Sequence, residues 1–161
     1  MIVIDYNQIA IATFMAEIGG RKDIEINPDL LRHMVINTIR SYKTKFGNEY
    51  GDLVIACDNR HYWRRKVFPF YKAHRKKARE ASELDWSAIF DALSMIRNEL
   101  AEYFPYPVID VTGAEADDVI GTLAEYSQES GEPFLIISGD HDFNQLQKWS
   151  NVNFRLHKSG G

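Results

Sequence analysis

A single cysteine, Cys57, stands in a chain of 161 residues, so no internal disulfide can close. That absence suits a reducing compartment. Long apolar runs are missing as well: nothing approaches the ~18 consecutive apolar residues of a membrane span. The opening Met1-Ile2-Val3-Ile4-Asp5 meets a charge too early for a secretory leader. A soluble, cytoplasmic protein without membrane partners is expected. There is no Cys/His ligand cluster, which argues against zinc, and no internal repeat, low-complexity segment or linker. With 45% hydrophobic and 26% charged residues, disorder is excluded. The length suits a single domain, 1–161.

Positive charge is in deficit overall. The formal net charge is −4, which on its face argues against a nucleic-acid partner, because phosphate binding relies on Lys and Arg. The distribution reverses that inference. Arg60 to Arg79 hold nine Lys and Arg and no acid, so a cationic stretch is set against an acidic body.

The chain alternates apolar strands with amphipathic helices. Residues 1–5 predict a buried strand ending in Asp5, followed by a helix from Gln8 to Ile18. Asn27-Pro28 predicts a cap and first turn, with the 3.6-residue period running from Leu30 to Gly47. Leu53 to Cys57 predicts a second strand, ending in Asp58. Residues 59–84 have no clean period. A helix is expected from Asp85 to Phe104, its core face carried by Trp86, Ile89, Phe90, Leu93, Ile96 and Leu100. Further elements are a strand at Pro107–Ile109, a helix from Ala114 to Tyr126, a strand at Phe134–Ile137, a helix from Phe143 to about Trp149 and a strand at Val152–Phe154. This order predicts an α/β fold with a mostly parallel sheet covered on both faces. Ligands of such sheets bind outside the carboxyl ends of the strands.

Seven acids fall at that edge. Asp5 and Asp58 end two strands, Asp140 and Asp142 follow another, and Glu115, Asp117 and Asp118 open a helix. Carboxylates crowded together repel one another unless cations intervene. Oxygen-only ligation points to Mg²⁺, with Mn²⁺ as substitute. Two such ions ~4 Å apart can activate water and stabilise the leaving oxygen in in-line attack on a phosphodiester, with no covalent enzyme intermediate. Each acid taken singly also has a structural reading: a helix-start acid favoured by the dipole, an N-cap or a turn residue. Their joint placement favours the metal.

Tyr62, Trp63, Arg64, Arg65, Tyr71, Lys76, Lys77 and Arg79 interleave rings with cations, as expected where bases stack and phosphates are neutralised. The stretch follows Asp58 and so rises from the same edge. Lys66, Lys72, Arg75 and Lys76 are candidates for stabilising charge at a scissile phosphate. For an isolated run of charge, the simpler reading is a solvated cationic loop. Cys57 reads as a buried small residue and His141 as a solvent-facing spacer.

The segments Ile4-Asp5 with Gln8-Ile9-Ala10, Asp58-Asn59 with Tyr62-Trp63-Arg64-Arg65, Tyr71-Lys72 through Glu80, Glu115-Ala116-Asp117-Asp118, and Ile136-Ile137-Ser138-Gly139-Asp140-His141-Asp142-Phe143 with Gln145-Leu146 and Asn151-Val152 carry a resemblance. Over nearly its whole length the chain resembles the 5′-nuclease (flap endonuclease) superfamily, on the side of the ribonucleases H of T-even bacteriophages. The resemblance implies a PIN-like fold and Mg²⁺-dependent 5′-to-3′ exonuclease and flap endonuclease activity on DNA and RNA–DNA 5′ ends. It also implies primer removal among replication proteins in a host-cell cytoplasm. It assigns Asp5, Asp58, Glu115, Asp117, Asp140 and Asp142 to metal, directly or through water, with Asp118 nearby. Residues 59–84 become an arch passing a single-stranded 5′ end, with Lys66, Lys72 and Arg75 as catalytic bases. Family members continue into further metal-binding aspartates and a duplex-gripping helical hairpin. With the present chain ending at Gly161, an incomplete second metal site and weak duplex binding are expected.

Three alternatives stand beside this reading. One is a nucleic-acid-binding module of the same fold without turnover. Another is a compact PIN-type ribonuclease acting on single-stranded RNA, in which the long basic insertion is not expected. The third, an aspartyl-nucleophile phosphatase, needs a second acid where Asn7 stands.

Overall fold

The computed structural model describes residues 1–18, 27–59 and 86–157, and of positions 86, 141 and 142 the backbone alone. Of the expected arch at 59–84, residues 60–84, with all its basic and aromatic candidates, lie outside the described residues, as do the side chains of Trp86, His141 and Asp142.

Among the described residues the chain runs β1 (Ile2–Asp5), α1 (Tyr6–Ile18), α2 (Pro28–Tyr50), β2 (Leu53–Ala56), α3 (Trp86–Tyr103), β3 (Val108–Ile109), α4 (Ala116–Ser130), β4 (Phe134–Ser138), a 3₁₀ segment (His141–Lys148) and β5 (Val152–Leu156). The strands form one sheet in the order β3-β2-β1-β4-β5, every neighbouring pair parallel. The expected α/β architecture is therefore present. The order steps outward from β1 to β3, then returns to the other side of β1 for β4. Such a reversal opens a crevice at the carboxyl ends of the two central strands.

Alternation along the strands feeds two cores. Ile2, Ile4, Leu53, Ile55, Leu135 and Ile137 pack with α1, α2 and α3. Val3, Val54, Ala56, Phe134 and Ile136 pack with α4 and the 3₁₀ segment. Both faces are covered, which is why the strands read as continuous apolar runs rather than alternating ones. Tyr6 is buried, and its hydroxyl donates to Leu93 O at 2.6 Å, tying the turn after β1 to α3. Burial raises its phenol well above the ordinary range.

Several boundaries differ from expectation: α1 starts at Tyr6 rather than Gln8, and α4 spans Ala116–Ser130 rather than Ala114 to Tyr126. α2 does not end at Gly47 but runs to Tyr50, where Gly51 takes φ 84° and its N–H bonds Gly47 O at 2.8 Å. A glycine inside a helix costs only about 1 kcal/mol, and the positive φ sits at Gly51. The element after β4 is 3₁₀ rather than α. Its three-residue turn places Phe143, Leu146 and Trp149 over the same core. None of the helices among the described residues is long and apolar enough to cross a membrane.

Candidate functional site

The strand-end acids gather because register and alternation agree. Asp5 is paired with Ala56, and Ile4 with Ile137, so Asp5 lies level with Ser138 on its other side. Asp58 stands two residues beyond Ala56 and Asp140 two beyond Ser138. Side chains two apart share a face, so Asp5 follows Val3, Asp58 follows Val54 and Ala56, and Ser138 follows Phe134 and Ile136. All of these belong to the face covered by α4.

Hydrogen bonds bear this out. Asp5 and Asp58 are 0% and 2% exposed. Ser138 Oγ donates to Asp5 Oδ2 at 2.8 Å and accepts from the Asp140 backbone N–H at 3.1 Å. Asp58 Oδ1 accepts from Ala116 N–H at 2.7 Å, while the Asp58 N–H donates to Asn7 Oδ1 at 2.9 Å. The Ala116 N–H belongs to the first turn of α4, so the helix dipole favours the buried charge of Asp58.

The acids of α4 are less deeply set. Glu115 is the N-cap rather than a first-turn residue, and its N–H donates to Asp118 Oδ2 at 3.2 Å. Asp118 is exposed, whereas Glu115, Asp117 and Asp140 are half-buried. The capping bond gives Asp118 a structural role of its own.

Among the described residues no three Asp, Glu, His or Cys side chains stand together closely enough to hold an ion as they are. In kind, the donors nevertheless fit a hard divalent cation: carboxylates on one face of a crevice, two of them buried and oriented by neutral donors. Mg²⁺ in particular keeps several waters and takes only one or two carboxylates directly.

Asn7 and Ser138 are functional candidates that motif reasoning passed over. Each is a neutral polar residue at or just beyond the end of an apolar strand and yet buried, 6% and 0% exposed. That mismatch is the signal by which they could have been found. Cys57 is buried as expected, and burial pushes its thiol far above the ordinary range. Asp110, just after β3, pairs with Arg97 at 3.1 Å on the sheet's outer flank.

Comparison with known proteins converges on one family. Residues 1–158 match the family described as 5′-3′ exonuclease, N-terminal resolvase-like domain. The chain is 38% identical over 153 residues to the ribonuclease H of Enterobacteria phage T4, covering 93% of this chain and 50% of that protein. It is 28% identical over 122 residues to a 5′-3′ exonuclease of Buchnera aphidicola, covering 76% of this chain and 40% of that one. It is 38% identical over 86 residues to the flap endonuclease Xni of Shewanella denitrificans, covering 53% and 31%. At most half of each of these three relatives is spanned. The chain belongs to the 5′-3′ exonuclease and flap-endonuclease superfamily, through its N-terminal resolvase-like domain.

Proposed function

We propose that the chain carries the catalytic part of a Mg²⁺-dependent 5′-to-3′ exonuclease and flap endonuclease with a PIN-like fold. Its substrates are single-stranded 5′ ends of DNA and RNA–DNA, and its task is primer removal in replication, in the host-cell cytoplasm alongside other replication proteins. The observation that carries the reading is the placement of Asp5 and Asp58 on one face at the switch point of the sheet, beside the first turn of α4, with the Asp140 backbone tied to the same edge through Ser138. The names of the relatives, ribonuclease H and flap endonuclease among them, supply the substrate class.

In this reading Asp5, Asp58, Glu115, Asp117, Asp140 and Asp142 hold metal directly or through water, with Asp118 nearby. Divalent ions bound there would supply water activation and neutralisation of charge on the phosphodiester. The protein's part is positional: the Ser138 hydroxyl and the Ala116 N–H orient the buried Asp5 and Asp58 carboxylates. Lys66, Lys72 and Arg75 would stabilise phosphate charge. Tyr62, Trp63, Arg64, Arg65, Tyr71, Lys76, Lys77 and Arg79 would stack bases and neutralise the backbone of the single strand.

Cleavage of a labelled 5′-flap DNA and an RNA-primed duplex, with Mg²⁺ or Mn²⁺, tests the assignment. Cutting that is lost in Asp58→Asn and Asp117→Asn is expected; unchanged cutting in both would remove the site. Metal-dependent binding without any cutting would instead identify a binding module. That outcome has support in the spacing of the acids among the described residues.

A further inference from the structure

We infer that Ser138 is a positioning residue for the metal site, a single hydroxyl that sets the geometry of two acids from different strands. This rests on the metal-dependent reading of the same edge. Ser138 is fully buried, donates to Asp5 Oδ2 at 2.8 Å and accepts from the Asp140 N–H at 3.1 Å. It therefore spans the switch-point crevice between β1 and β4. The donated bond selects one orientation of the Asp5 carboxylate. The accepted bond fixes the backbone at Asp140, where the chain leaves β4 for the 3₁₀ segment.

The chemistry of the bridge matters. A lysine or arginine in this place would orient Asp5 equally well but would compete with a cation for it. A hydroxyl orients the acid and leaves its charge in place. Asn7 does the matching service on the other side of β1, accepting the Asp58 N–H at 2.9 Å. Both strand-flanking aspartates, Asp58 and Asp140, thus have their backbone N–H satisfied by a neutral side chain, and the Asp58 carboxylate meets the start of α4.

Outer-shell partners of this kind typically contribute 10–100-fold in metal affinity. Mn²⁺ binding, read by the loss of its free-ion spin-resonance signal, should weaken roughly tenfold or more in Ser138→Ala. Ser138→Thr, which keeps the hydroxyl in a strand position, should restore most of it. Amide hydrogen exchange at Asp140 without metal supplies a second readout, faster in the alanine variant and slow in the threonine one. Should Ser138→Ala fold poorly, Ser138→Cys, which keeps the size but donates only weakly, carries the test: it should lose Mn²⁺ affinity while Ser138→Thr keeps it, and parent-like affinity in Ser138→Cys would overturn the role. Mn²⁺ affinity in Ser138→Ala equal to the parent's would overturn the positioning role and leave the metal reading intact. A parent chain that binds no Mn²⁺ would overturn both.

Discussion

Asp58 and Asp110 follow neighbouring strands of the same sheet, yet the fold treats them in opposite ways. Asp110 is held by the Arg97 guanidinium at 3.1 Å, on a flank where both side chains keep some solvent contact. Asp58 is 2% exposed and takes a backbone N–H from the first turn of α4. The first arrangement cancels charge with charge. The second sets a carboxylate in the interior and orients it with a backbone N–H at the start of a helix. Asp5, held by Ser138, belongs with Asp58. Burying an acid away from water is expensive for a fold, and that expense is the physical mark that separates a working edge from a structural flank.

The contrast breaks most sharply at Asp5. In Asp5→Asn, flap cleavage should fall by roughly a thousandfold, about 4 kcal/mol of barrier. The metal-free thermal midpoint should change little, because Asn keeps an oxygen that accepts from the Ser138 hydroxyl. Loss of folding together with activity would make Asp5 a structural acid. Next in size is Leu93→Ala, which empties a fully buried position and removes about 2–5 kcal/mol of stability in denaturant titration. It touches neither class of acid, so its activity per folded molecule should match the parent's.

Arg97→Ala should cost no more than about 1 kcal/mol, since a partly exposed pair contributes little. A larger loss would show that the flank pair is not the weak ion pair described here. The smallest effect concerns His157, which shares a hydrogen bond with the Tyr42 hydroxyl and whose imidazole pKa burial lowers from 6.5. The folded protein then takes up this proton at lower pH than the unfolded chain does. Stability should be unaffected at higher pH, fall as pH drops through the ordinary imidazole range, and level off below the folded value. Thermal midpoints between pH 8 and pH 5 should show a smaller acid-side drop in His157→Gln.

Much of the fold was legible because strands buried on both faces write themselves as apolar runs such as Phe134–Ile137, and because Asn27-Pro28 announces a helix start that α2 uses. The acids at strand ends were legible for the same reason. The strand order was not, since pairing β1 between β2 and β4 depends on contacts far apart in the chain. Gly47 misled because a glycine can sit inside a helix, and the stop came at Gly51, where φ is positive. The 3₁₀ geometry escaped because Phe143, Leu146 and Trp149 suit either helix over so short a span. Asn7 and Ser138 escaped because their roles lie in bonds to other segments, which spacing along the chain does not encode.

The most direct measurement is anomalous diffraction from crystals of this chain soaked in Mn²⁺. The account predicts a peak at the carboxyl ends of β1 and β4, within direct or water-mediated reach of Asp5, Asp58 and Asp140, that disappears in Asp5→Asn. A peak elsewhere on the surface, or none at this edge at saturating Mn²⁺, would contradict it.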